Sequence, residues 1–128
     1  MGIQESLENY LETILMLGFG EEPVRSVDIA NELGYSRPSV SIAMKKLRTD
    51  GYITMDGIGH ITLTSSGRTI AENMYERHML LSDWLVFLGV DRETAVNDAC
   101  KMEHSISEQS FIALQKHIEE WKHSIDGQ

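Results

Sequence analysis

Cys100, Glu103 and His104 place a thiol, a carboxylate and an imidazole at positions i, i+3 and i+4. On a helix, side chains at these spacings emerge on one face from adjacent turns. Thiolate, carboxylate and imidazole are common protein ligands of divalent transition metals. The chemistry implied is metal coordination, although the spacing by itself is a weak signal. A second signal is His78. Ile70, Met74, Leu81, Leu85 and Leu88 recur in steps of three and four, and His78 falls in their row. A lone histidine in an apolar row is more often structural than ligating. It still needs a partner, because a buried imidazole without one is costly. Glu103 shares a face with Val96, Ala99 and Cys100 and needs a partner for the same reason. The two needs answer each other, giving a thiolate, a carboxylate and two imidazoles from two helices.

The elements that would position these groups follow from hydrophobic spacing. Residues 5–17 read as a helix with Leu7, Tyr10, Leu11, Ile14 and Leu17 as its apolar stripe. Glu12 lies off that stripe and, taken alone, reads as a solvated face residue. As a fifth ligand it would tie the first helix to the cluster. Residues 65–88 read as a long helix capped by Thr64 or Ser65 and ended by Gly89. Asp91 starts the helix that carries the cluster, as an N-cap. Ser105 and Glu108 form a capping box for a last helix with Phe111, Leu114, Ile118 and Trp121 as its stripe. Residues 124–128 read as frayed. Trp84 and Phe87 add aromatic surface that predicts a dimer interface, with intramolecular packing as the open alternative.

Between these lies a different pattern. Residues 26–34 read as a short helix with Ser26 as N-cap and Gly34 as terminator. A third helix follows, with Ser36 as N-cap, Pro38 in its first turn and Val40, Ala43, Met44 and Leu47 as its buried side. Ala30, Gly34 and Val40 fit a helix-turn-helix, and an ordinary helical hairpin is the alternative. The exposed positions of the third helix are Arg37, Ser39, Ser41, Lys45, Lys46 and Arg48. From 36 to 50 the charge is +4 (Arg37, Lys45, Lys46, Arg48) − 1 (Asp50) = +3, within a chain of net charge −9. A basic helix with short residues at its start suits base edges there and phosphates further along. Gly51–Met55 and His60–Thr64 are β-prone runs around Asp56-Gly57-Ile58-Gly59, a hairpin in the place of a wing.

The bulk numbers narrow the classes. A chain of 128 residues can form one compact unit or two small coupled ones. An acidic chain is no general nucleic-acid binder, so DNA contact must be local to the basic helix. One cysteine excludes an intrachain disulfide and suits a reducing cytoplasm. No run has the length of a membrane span, and no signal peptide is visible at the N-terminus. The sequence therefore predicts a mainly α chain in the cytoplasm: a winged helix-turn-helix over 1–64, then an all-helical metal-binding and dimerisation domain over 65–128. Two rivals stay open. One is a winged-helix regulator that senses an organic ligand or a protein, without metal. The other is a small metalloenzyme, though nothing marks a general base or a substrate pocket, and the chain is read as no enzyme.

With these residues in view, the chain resembles the diphtheria-toxin-repressor/manganese-transport-regulator family of metal-dependent transcriptional repressors. The resemblance runs through Glu8-Asn9-Tyr10-Leu11-Glu12, Ser36 to Ser41, Leu63-Thr64 with Gly67, Arg77-His78 with Leu80-Leu81, and Asn97-Asp98-Ala99-Cys100 with Glu103-His104. It implies a homodimer that binds double-stranded operator DNA when loaded with Mn²⁺ or Fe²⁺, with Co²⁺, Ni²⁺ or Zn²⁺ as substitutes, and that represses metal-uptake genes. Family ligand positions fall on Glu12, His78, Cys100, Glu103 and His104. Asn9 stands where manganese-type members have Asp and iron-type members Met. Cys100 follows the iron type, whereas the absence of a third, SH3-like domain follows the manganese type. The recognition-helix contacts implied are Ser36, Arg37, Pro38, Ser39, Ser41, Lys45 and Lys46, with Arg37 unusual for its place.

Overall fold

A computed structural model describes the backbone of residues 3–126 and the side chains of residues 6–124. The order is α1 (Ile3–Leu17), α2 (Ser26–Leu33), α3 (Arg37–Thr49), β1 (Ile53–Met55), β2 (Ile61–Leu63), α4 (Ser65–Phe87), α5 (Arg92–Ser105) and α6 (Glu108–Asp126). The fold is mainly helical, as the spacing predicts. Two compact units divide between Met74 and Tyr75, inside α4 rather than at its start.

The first unit is built on α1 to α3, the hairpin and the first turns of α4. Leu11, Ile14 and Leu15 of α1 are buried with Ile29 and Ala30 of α2 and Val40, Met44 and Leu47 of α3. Leu15 thus belongs to the core, while Leu7 and Leu17 are only half-buried. Helix α2 ends where expected, at Gly34 in the left-handed region (φ 71°). Its start differs. Arg25 occupies the N-cap position in extended conformation, and its backbone N–H donates to the Asp28 carboxylate at 2.9 Å. Ser26 is the first helical residue instead, and the N-cap N–H of Arg25 is held by the Asp28 carboxylate, the reciprocal half of a capping box.

Ser36 caps α3 as expected, its hydroxyl accepting from Ser39 N–H at 3.3 Å, with Pro38 in the first turn. Strands β1 and β2 pair antiparallel with Ile53 opposite Leu63 and Met55 opposite Ile61. Val24 adds an isolated bridge to Ile61. The hairpin is tied to the start of α4 by Thr64, whose hydroxyl donates to the Gly51 carbonyl at 2.7 Å and accepts from Gly67 N–H at 3.2 Å. Gly67 is required here: a Cβ at this position would lie 2.1 Å from the Tyr52 carbonyl oxygen.

The second unit comprises the rest of α4 with α5 and α6. Leu81, Ala95, Ala99, Phe111 and Ile118 are fully or nearly fully buried. Gly89, with φ 107°, ends the α4 segment, and Asp91 caps α5 through Thr94 N–H at 3.1 Å. Two expectations shift. Ser107, not Ser105, caps α6, accepting from Ser110 N–H at 3.1 Å. Ser105 closes α5 instead, its hydroxyl donating to the Lys101 carbonyl. Ile106 adopts extended backbone (φ −92°, ψ 137°), which breaks the helix one residue later than a cap at Ser105 would need. Helix α6 also continues through Asp126, past the point expected to fray; residues 127–128 lie outside the described residues. Phe87 and Trp121 meet edge to face at 4.3 Å between ring centroids, so part of the aromatic surplus is spent within the unit.

Candidate metal centre and nucleic-acid interface

In the second unit, α4 and α5 bring His78, Glu103 and His104 together. Residues 95, 99 and 103 form the buried row of α5, in steps of four. Glu103 ends that row with no exposed surface. One of its oxygens, Oε2, lies 3.1 Å from His78 Nδ1, and the other, Oε1, lies 3.3 Å from His104 Nε2. The side chains of His78 and His104 are 12% and 2% exposed. A carboxylate removed from water in this way is strongly disfavoured unless cationic or donor groups hold it. The expectation that His78 and Glu103 partner each other is met.

Cys100 is placed differently. It is exposed, one residue beyond the buried Ala99 on the helix turn. The sequence pattern put Cys100 and Val96 on the buried side of α5. The helix is rotated instead so that Ala95, Ala99 and Glu103 face inward, leaving Val96 half-buried. A rotation of one residue is invisible to periodicity when the flanking residues are all small.

Arg77 is the residue that spacing analysis passed over. It is 7% exposed. Its Nη1 donates to the backbone carbonyls of Glu103 at 3.2 Å and Ile106 at 3.0 Å, and its guanidinium lies 5.0 Å from the centre of the Phe111 ring. A single cation thereby satisfies carbonyls at the C-terminal end of α5, where the helix dipole favours positive charge. The contact fixes the backbone beneath Glu103 and His104. The available signal was a charged residue next to His78 on the inner side of α4.

In the first unit, Glu12 is 5% exposed, so its expected place on a solvated face is corrected. Asn9, one turn earlier, is half-buried. Arg37, Ser39, Ser41, Lys45, Lys46 and Arg48 are all exposed on α3, together with Ser36 and Pro38, as the basic-helix pattern predicts. Lys46 pairs with Asp50 at 3.6 Å, an exposed contact of little energetic weight. At the hairpin turn, the Asp56 carboxylate accepts from the N–H groups of His60 (2.9 Å) and Ile58 (3.0 Å) and faces His60 Nδ1 at 3.1 Å. These bonds hold its pKa below the usual carboxylate value, the His60 N–H contributing most. Arg25 approaches the other nitrogen of His60 at 3.3 Å, so the wing is braced against the segment before α2.

The donor set fits a divalent transition metal. Atoms bound to one ion by ~2.1 Å bonds sit about 3 Å apart, which is the spacing around Glu103. Carboxylate with imidazole is a ligand combination that such ions accept.

Comparison with known proteins decides the family. Residues 3–61 match the model of the iron dependent repressor N-terminal DNA binding domain, and residues 64–128 match that of the iron dependent repressor metal binding and dimerisation domain. The chain belongs to the iron-dependent repressor family. It is 38% identical over 120 residues to the transcriptional regulator MntR of Escherichia coli, covering 89% of this chain and 76% of that one. An HTH-type transcriptional regulator of Methanocaldococcus jannaschii is 32% identical over 125 residues, covering 96% of this chain and all of the relative. A manganese-dependent transcriptional repressor solved with manganese superposes with a TM-score of 0.80 at 28% identity, covering 88% of this chain. This chain spans about half, 52%, of the length of that solved repressor. Membership of the family supplies a DNA-binding half and a metal-binding, dimerising half, the two halves in which the basic helix and the Glu103 cluster are found. Among the described residues, no helix is long and apolar enough to cross a membrane.

Proposed function

We propose that this chain is a metal-responsive transcriptional repressor which, loaded with Fe²⁺ or Mn²⁺, binds operator DNA as a homodimer and controls metal-uptake genes. The observation that carries the reading is Glu103: a fully buried carboxylate flanked by two imidazoles, in a chain of this family whose other unit presents a basic helix. His78, Glu103 and His104 are the core of the proposed ligand set. Glu12 and Cys100 are proposed to complete it, and Asn9, with only a neutral carbonyl to offer, is left as a weak donor at most.

When bound, the ion supplies a +2 charge that offsets the carboxylates and makes the ligand helices one cross-linked unit. The chain's own residues do the rest. Glu103 and the two imidazoles hold donor atoms on α4 and α5 at coordination spacing, and Arg77 fixes the end of α5. The α3 surface supplies four cations for phosphates. Paired operator half-sites on B-DNA lie about 34 Å apart or a multiple of it, so a cross-link that fixes recognition-helix spacing changes affinity. A typical coupling of roughly 1–3 kcal/mol would change operator affinity several-fold to about a hundredfold.

The test is an anaerobic mobility shift on duplexes selected from a random pool, with Fe²⁺, Mn²⁺ or EDTA. Binding is expected with either metal and is expected to weaken in EDTA. Equal binding in EDTA would sink metal activation and favour the metal-independent regulator. Cys100→Glu is expected to move metal preference from iron toward manganese, read as metal content after anaerobic purification; an unchanged content removes Cys100 from the ligand set.

A further inference from the structure

Ile42 is out of place on α3. It is 72% exposed, on a helix whose other exposed residues are serine, threonine, lysine and arginine apart from Pro38 in the first turn. Packing within the first unit does not explain it, and a β-branched residue in a helix interior is less favourable than the lysine or alanine that would serve as surface. Its position is one turn after Ser39 and one turn before Lys46, on the stripe that begins at the capped N-terminus of α3. In a recognition helix the N-terminal half approaches base edges and the later cations meet phosphates. Ser39 and Ser41 are short and leave Ile42 projecting beyond them. The apolar feature that a base edge offers in the major groove is the C5-methyl of thymine.

We propose that Ile42 is a specificity-determining residue that reads a thymine methyl group in each operator half-site. The inference rests on α3 being the recognition helix. The contact is hydrophobic, so it has a clean chemical test. Uracil pairs with adenine as thymine does and presents the same O4 acceptor, but it lacks the methyl. Duplexes are first selected from a random pool by the metal-loaded full chain. Each thymine of the half-site is then replaced singly by deoxyuridine, and affinities are measured by fluorescence anisotropy for the wild type and for Ile42→Ala.

One replacement is expected to weaken wild-type binding about fourfold, the loss that goes with one buried methyl-sized group. Ile42→Ala is expected to bind the all-thymine duplex more weakly and to be indifferent to uracil at that same position. Alanine favours helix, so the variant's thermal midpoint should not fall, and weaker binding would not reflect unfolding. Insensitivity of the wild type to uracil at every position overturns the inference, as does an Ile42→Ala protein that keeps the full uracil penalty. Failure of the recognition-helix reading looks different. No sequence would then be enriched from the pool, and Lys45→Ala and Lys46→Ala would leave DNA binding unchanged.

Discussion

At Glu103 a side chain that ordinarily seeks water has no exposed surface, and two imidazole nitrogens stand at its two oxygens. Replacing it with glutamine keeps the volume and an acceptor but removes the charge. In the metal-free chain this relieves a desolvated anion, so the thermal midpoint of Glu103→Gln should be unchanged or higher. With metal the order reverses. Mn²⁺ affinity, titrated calorimetrically, should fall by at least about a hundredfold, beyond what loss of an outer-shell partner causes. A variant that loses apo stability and keeps its metal affinity would make Glu103 a structural partner of His78 and nothing more. His78 and Glu103 were legible in the sequence because each sat in an apolar or small-residue row that could not tolerate it alone. The burial of Glu12 was not, since its helix position faces away from the local stripe and burial there depends on residues distant in sequence. Nor was the exposure of Cys100, because Ala99 and Glu103 fit a face completed by Val96 and Cys100 as well as they fit the observed one completed by Ala95.

At the scale of elements, the ends of α5 matter more than its middle. At the N-terminus, Asp91 accepts from the N–H and hydroxyl of Thr94, and these bonds, the N–H first, hold its pKa below the usual carboxylate value. A carboxylate whose folded pKa is depressed stabilises the fold above its unfolded pKa, about 3.9 for Asp, and the contribution is lost as pH falls through the lower folded value. Asp91→Asn should therefore lower the thermal midpoint at pH 7 and have progressively less effect as pH falls below about 4. Asp56 in the wing has the same sign and adds to the same acid-side loss. At the C-terminal end, Arg77→Ala removes a buried cation from two carbonyls and from the Phe111 face. A cost of about 2–4 kcal/mol is expected, together with weaker Mn²⁺ binding, because the backbone under Glu103 loses its anchor. Arg77→Lys should recover part of the stability but less of the metal affinity, since a flexible ammonium lacks the planar guanidinium that packs on Phe111 and holds Nη1 between the two carbonyls. Melting curves with and without Mn²⁺ separate the two effects; a purely structural Arg77 would shift both curves equally. The helix ends were legible where a cap lies within three residues of the N–H it accepts from, as at Ser36 and Asp91. They were missed where a second serine lay two positions away, as at Ser105 and Ser107, and where α2 starts one residue earlier, with Arg25 at the N-cap and its N–H held by Asp28.

For the whole molecule, the distribution of charge sets how DNA binding must respond to salt. The segment from 36 to 50 carries +3 while the remaining residues sum to −9 − 3 = −12. Background attraction to DNA is therefore small, and on the proposed function affinity depends on the few cations of α3 and on how two copies of that helix are spaced. Arg37, Lys45, Lys46 and Arg48 are all exposed, giving at most eight phosphate contacts for a homodimer. Each neutralised phosphate contributes about 0.9 to the slope of log K against log salt. A metal-loaded dimer using all eight should show a slope of about −7. Lys45→Ala removes two contacts per dimer and should reduce the magnitude by about 2, while leaving the ranking of operator sequences intact, because a phosphate contact positions without reading bases. Ile42→Ala should do the opposite, changing the ranking and leaving the slope alone. EDTA should leave a slope nearer −4, as one recognition helix engages at a time. A slope that stays near −7 in EDTA would mean that both helices are already correctly spaced without metal, and the ion would then have to act on something other than their separation.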